Sequence, residues 1–250
     1  MLQRLLGFRL NRPAIEAIIA VVAGAAVLGL LALGLHEFGM LSGWALAGVY
    51  GIYMMASFLV VRSVGVSHPF DHFGLPNGVT LARLVLSSVL GGIALDLVER
   101  PMADPQAWLV LAIAALALVL DGLDGFLARA RHLESPFGAR FDMEVDALLI
   151  LLLALLAWLQ AKAGPWVLLI GAVRYAFVVA GWLWPALARP LPPSFRRKAV
   201  CVVQGLSLAA LLAPVVQPPA SGIIAGVALL LILYSFAIDV IWLIGHRHEA

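Results

Sequence analysis

Apolar runs recur along this chain at about 13–35, 43–62, 79–97, 107–129, 143–160, 165–186, 199–215 and 221–245. Each is close to the roughly 20 residues that cross the hydrocarbon of a bilayer as a helix. Turn-rich breaks part them, among them HPFDHFGLPN, ERPMADPQ and ARPLPPSFRRK. Only 12% of the residues are charged, against 63% hydrophobic, whereas soluble domains carry about 25% charged residues. The expected fold is therefore all-α: a polytopic membrane helix bundle of about eight spans. It divides into two leading helices with their connecting segment, residues 1–70, and a six-helix body, residues 71–250.

What remains of the composition narrows the function. A net charge of +2, with no basic surface interleaved with aromatics, points away from nucleic acid. The lone Cys201 rules out an internal disulfide and a multi-cysteine metal site, and reads as a small core residue. The first run, preceded by Arg4, Arg9 and Arg12, is too long for the core of a cleaved signal peptide and reads as a retained span. Trp residues mostly fall near predicted helix ends, as interfacial belts do. Gly91, Gly92, Gly171 and Gly226 suit close helix approach. Asp96, Glu99, Asp104 and Glu37 are expected at the outer side, solvated.

Positive residues favour cytoplasmic loops. With both termini inside, the cytoplasmic segments collect Arg4, Arg9, Arg12, Arg62, Arg129, Arg131, Arg140, Arg189, Arg196, Arg197, Lys198 and Arg247, and the other side keeps Arg100 and Lys162. This orientation puts Asp121, Asp124, Asp142 and Asp146 at the cytoplasmic ends of the fourth and fifth helices. An ionised side chain at the centre of a span costs about 2.5–3.5 kcal/mol on insertion scales, unless it is paired, metal-bound or facing water. Asp121 and Asp124 are three apart and Asp142 and Asp146 four apart, so each pair shares a helical face. Two such faces can converge on metal. Small residues, Gly125 and Ala128, follow the first two acids at helical spacing and leave room for a ligand. Arg129 adds a cation at the end of that helix, and Gly138 suits a tight connection between the two helices.

The stretch Asp121, Asp124-Gly125, Ala128-Arg129, Gly138, Asp142, Asp146 resembles, at every fixed position, the signature of the CDP-alcohol phosphotransferase family. That signature is Asp, two residues, Asp-Gly, two residues, Ala-Arg, eight residues, Gly, three residues, Asp, three residues, Asp. A second resemblance lies at Pro76-Asn77, Thr80 and Arg83, where members carry Pro-Asn, two residues, Thr, two residues, Arg. Asn77 and Thr80 are open to two readings, nucleotide contact or helix capping. Arg83, one turn inside an apolar helix, needs an anionic partner, and a diphosphate or a motif carboxylate would serve. Nearby, Asp71 with His68 and His72 has a loose metal-ligand look but reads as a solvated loop.

Later in the chain, Lys198 precedes Gln204 by the six residues common in the family, although Arg197 stands where Gly is usual and Cys201 where Thr is frequent. The cations Arg174, Arg196, Arg197 and Lys198 are candidates for an acceptor or its phosphate, with loop topology as the alternative for the last three. Asp239 is a possible partner for Arg174 or Arg247.

The resemblance implies transfer of a phosphatidyl-type group from a CDP-alcohol, CDP-diacylglycerol by analogy, to the hydroxyl of a polar alcohol, with release of CMP. It implies two divalent ions, Mg²⁺ or Mn²⁺, on Asp121, Asp124 and Asp142, and Asp146 as the base. The donor would rest against Asn77, Thr80, Arg83, Gly125, Ala128, Arg129 and Gly138. It also implies a homodimer in a bacterial-type cytoplasmic membrane, with the active site on the cytoplasmic side. A carrier or ion transporter is the competing class, because intramembrane Asp and Arg also mark ion pathways. The carboxylates gather at one face and no internal repeat appears, which disfavours it. A family member that binds nucleotide without turnover is a further alternative, and the intact motif argues against it.

Overall fold

The structure, a computed structural model, describes residues 11–189 and 191–245. Arg4, Arg9 and Arg247 lie outside the described residues. Among those described there are eight α-helices and no strand: α1 Arg12–Glu37, α2 Gly43–Ser67, α3 Leu75–Leu97, α4 Asp104–Ala130, α5 Pro136–Leu159, α6 Leu168–Leu183, α7 Phe195–Leu211 and α8 Ala220–Gly245. Short 3₁₀ turns at Pro165–Val167 and Pro185–Ala188 flank α6.

Local chemistry sets the helix starts. Asn11 and Ser42 cap α1 and α2 by accepting from the Ala14 and Ala45 amides. The residue ahead of α3 is Gly74, whose φ of +82° is costly for any residue with a Cβ. Ser135 precedes α5, with Pro136 as its first residue, a placement that suits both.

Among the described residues, six helices are long and apolar enough to cross a membrane: α1, α2, α3, α4, α6 with its leading 3₁₀ turn, and α8. The two others differ for visible reasons. The first half of α5 carries Arg140, Asp142, Glu144 and Asp146, and α7 is 17 residues long and opens on Arg196, Arg197 and Lys198. The boundaries of these two helices also shift. Apolar content alone starts them at 143 and 199, but polar first turns extend them back to Pro136 and Phe195. Gly138 therefore sits inside α5, not in the connection. The chain reverses instead at His132, with φ of +54°.

The chain forms two compact units, one running to Pro101 together with Ala112–Leu149, the other Met102–Leu111 together with Ile150 onward. In the first, α1, α2 and α3 pack on one another, and α3 is buried along most of its length. Tyr53 on α2 donates to the Val21 carbonyl on α1 at 2.8 Å. Asp96, expected to be solvated, is only 6% exposed: it pairs with Arg100 and accepts from the Ser42 amide at 3.3 Å.

In the second unit α8 packs against α6 and α7. Asp239 on α8 takes Arg196 and Arg197 of α7 as partners. Lys162, placed by topology as a flanking charge, is instead buried. Its Nζ donates to the Ala213 and Val216 carbonyls at 3.0 and 2.8 Å, while its own carbonyl accepts from Ser221 Oγ. Cys201 is exposed, contrary to the core reading. A Cβ on Gly171 of α6 would lie 2.6 Å from Leu151 Cα on α5, a clash with backbone. Gly171→Ala is expected to cost about 1–3 kcal/mol through forced separation of the two helices, seen as a lowered thermal midpoint in detergent followed by tryptophan fluorescence.

Candidate active site

Three helices of the first unit deliver the motif residues. Asn77, Thr80 and Arg83 recur every third residue on α3, Asp121 to Arg129 occupy the end of α4, and Gly138, Asp142 and Asp146 follow one face of α5. Their meeting point is the guanidinium of Arg83, which has no exposed surface. Nη1 contacts Asp124 Oδ2 at 2.9 Å and Asp142 Oδ1 at 2.5 Å. Nη2 contacts Asp121 Oδ1 at 2.7 Å and also pairs with Asp146 Oδ1. The anionic partner that Arg83 requires is thus all four motif carboxylates together.

The acids are not equivalent. Asp124 is only 4% exposed, against 33%, 36% and 23% for Asp121, Asp142 and Asp146. Thr80 Oγ1 donates to Asp124 Oδ2 at 2.9 Å and the Gly125 amide to Oδ1 at 2.6 Å, so both oxygens are engaged. The three more open acids each turn one oxygen into a group within 4.8 Å of one another, close enough to hold a metal ion. Ionised, the four carboxylates carry three more negative charges than Arg83 offsets, and their hard oxygens suit Mg²⁺ or Mn²⁺. The donor set fits a divalent cation.

Beside the acids opens a cavity of about 200 Å³. Asn77, Thr80, Asp124, Gly125, Ala128, Arg129, Gly138 and Asp142 line it, with Pro76, Leu133, Glu134, Ser135 and Ala139. The capping reading of Asn77 and Thr80 fails: Gly74 is the α3 cap, Asn77 donates from Nδ2 to the Phe73 carbonyl, and Thr80 holds Asp124. Space is tight at Gly138, since a Cβ there would stand 3.0 Å from Asn77 Oδ1 and 3.1 Å from Ser135 Oγ, and those side chains would have to give by a few tenths of an ångström. At Gly125 the nearest obstacle is the flexible end of Arg129, at 3.3 Å.

Pro76, Leu133, Glu134, Ser135 and Ala139 are missing from the expected set. Ser135-Pro136 carried a signal, because Ser followed by Pro is a helix start that would have brought α5 back to the cavity. The histidine segment makes no metal group with Asp71. His68 Nε2 meets the His72 carbonyl at 2.9 Å and its ring stands edge-on to Phe70 and Phe137. Burial holds its imidazole below the ordinary histidine value, with the His72 carbonyl pulling the other way.

The candidate acceptor cations belong to the second unit. Arg196 contacts the Ser235 carbonyl and hydroxyl and Asp239, at 2.5 Å for the last, and Arg197 contacts Asp239 at 3.1 Å and the Pro192 carbonyl. Both are braced from α8. Arg174 lies on α6 and Lys198 in the first turn of α7. Gln204 is buried and donates to the Ala228 carbonyl at 2.7 Å.

A family model for CDP-alcohol phosphatidyltransferase matches residues 73–238, taking in α3, the whole Asp motif and most of α8. The chain belongs to this family. It is also similar to a CDP-diacylglycerol--glycerol-3-phosphate 3-phosphatidyltransferase from Cereibacter sphaeroides, 32% identical over 100 residues. That match covers 39% of this chain and 42% of the relative, so less than half of either is compared. No solved structure matches the chain. The family match begins just ahead of α3, so α1 and α2 precede it, and the family's carboxylate motif is where Arg83 closes the site.

Breaking a buried ion pair from one side costs about 3–5 kcal/mol. Arg83→Met is expected to lose stability on that scale in detergent with EDTA, measured by thermal unfolding. Added Mn²⁺ is expected to recover more for the variant than it adds to the wild-type protein.

Proposed function

We propose that the chain is an integral membrane enzyme that moves a phosphatidyl-type group from CDP-diacylglycerol to the hydroxyl of a polar alcohol and releases CMP. The observation that carries this reading is the convergence of all four motif acids on Arg83, two of which, Asp124 and Asp142, also line the adjoining cavity with Asn77, Gly125, Ala128 and Gly138. Asp121, Asp124 and Asp142 are the proposed holders of Mg²⁺ or Mn²⁺, and two bound ions would supply charge stabilisation of the diphosphate. The cytidine end of the donor would rest along Asn77, Gly125, Ala128, Arg129 and Gly138, where Gly125, Ala128 and Gly138 leave it space.

Asp146, still 23% exposed, is the proposed base. Its carboxylate takes the proton of the acceptor hydroxyl as that oxygen attacks the phosphorus that bears diacylglycerol. The bond from this phosphorus to the bridging oxygen breaks, and the electron pair leaves with CMP. The product is a phosphodiester lipid, and the proton passes to solvent. The orientation set by the positive residues would put this chemistry on the cytoplasmic side, where water-soluble acceptors arrive.

For the acceptor we propose an alcohol bearing phosphate, in keeping with the relative named for glycerol 3-phosphate. Arg174 and Lys198 are the cations offered to it. Arg196 and Arg197, which pair with Asp239, are proposed for the same role.

The test is divalent-dependent CMP release by the purified protein, given CDP-diacylglycerol and a panel of alcohols that includes glycerol 3-phosphate, beside Asp146→Asn. Release should require one acceptor and fall about 10²–10⁴-fold in the variant, with Mn²⁺ and CDP binding retained. Loss of Mn²⁺ binding as severe as the loss of turnover would make Asp146 a metal ligand, in line with its grouping with Asp121 and Asp142.

A further inference from the structure

The family match starts at residue 73, yet the amide of that first matched residue is held by a side chain from α1. Phe73 N–H donates to Glu16 Oε2 at 2.9 Å, across 57 residues of sequence, and Arg12 Nε holds the other oxygen of Glu16 at 3.1 Å. Gly74, the α3 cap, has no side chain to offer the helix start. A carboxylate here also faces the positive end of the α3 dipole.

The same peptide residue reaches the cavity from its other side. The Phe73 carbonyl accepts from Asn77 Nδ2, and the Phe73 ring, 4% exposed, packs beside Phe137 of α5. With Nδ2 committed to Phe73, Asn77 turns Oδ1 towards Gly138, on the cavity wall. An asparagine amide presents a donor or an acceptor according to which way it is fixed. That choice rests on the Phe73 carbonyl, and Phe73 is tethered at its amide by Glu16.

We propose that Glu16 is a positioning residue for the nucleotide pocket: through Phe73 it fixes the Asn77 amide, so that a helix outside the matched region supplies part of the pocket's frame. This deepens the reading of the cavity as the site for the cytidine end of a CDP-alcohol, and depends on it. Truncating Glu16 need not disturb the helix packing, since its side chain is 34% exposed and α1 is buried through Ala14 and Ala17 instead.

The experiment uses the full chain in detergent and measures two affinities, for CDP and for Mn²⁺ alone. Hydrogen bonds to charged groups are among the stronger ones in proteins. Glu16→Ala should weaken CDP binding about fivefold or more while Mn²⁺ binding stays within about twofold, because no motif acid touches Glu16. Glu16→Gln keeps an acceptor for the Phe73 amide and should restore CDP binding. Three outcomes overturn the proposal: CDP binding by Glu16→Ala equal to wild type, a Gln variant as weak as Ala, or CDP and Mn²⁺ affinities falling together. If Glu16→Ala does not fold, Glu16→Asp, one methylene short of Phe73, takes its place, and wild-type CDP binding there overturns the proposal too. A wild-type protein that binds Mn²⁺ but no CDP defeats the reading of the cavity itself, and the proposal with it.

Discussion

One guanidinium against four carboxylates is the interaction on which this structure depends. In a chain mostly dissolved in hydrocarbon, an unpaired ion at helix depth is unaffordable, and three helices, α3, α4 and α5, each bring ions that need the others. Arg83 touches acids from both α4 and α5. Apolar side chains add little to helix association where lipid is as apolar as they are, so polar contacts and close packing of small residues carry more of the specificity. The site is for this reason also a structural centre of the first unit.

The acids divide into an anchored one and three open ones. Asp124 receives Thr80, Arg83 and the Gly125 amide and is nearly closed to solvent, whereas Asp121, Asp142 and Asp146 keep part of their surface. A motif that reads as four equal letters thus folds into unequal environments. Part of the difference comes from α3, whose Thr80 donates to Asp124 among the four acids, and part from the Gly125 amide.

Much of this was legible in the sequence. Runs of apolar residues predict helices, and paired acids at helical spacing predict two converging faces, because both rest on local periodicity. Where polar residues extend a helix beyond its apolar stretch, periodicity is silent. That is why α5 begins seven residues before its apolar run and Gly138 turns out helical. Partner choice between helices was the other blind spot. Asp96 meeting Ser42, Asp239 meeting Arg196 and Arg197, and Lys162 capping the carbonyls near Ala213 depend on tertiary packing that no spacing encodes. Arg83 was the instructive middle case: its burial demanded an anion, and the sequence contained the acids but could not say that all of them would answer.

The leading pair of helices grips α3 at both ends, Glu16 at the Phe73 amide and the Ser42 amide at Asp96. The limit of homology is therefore not the limit of the folding unit. A fragment cut to the matched region would leave the Phe73 donor without its acceptor and Asp96 without its Ser42 donor, and would strip the cover from a helix whose face contains the close approach of Gly92 to Val49. For anyone grafting the matched region onto another scaffold, α1 and α2 travel with it as part of the same object.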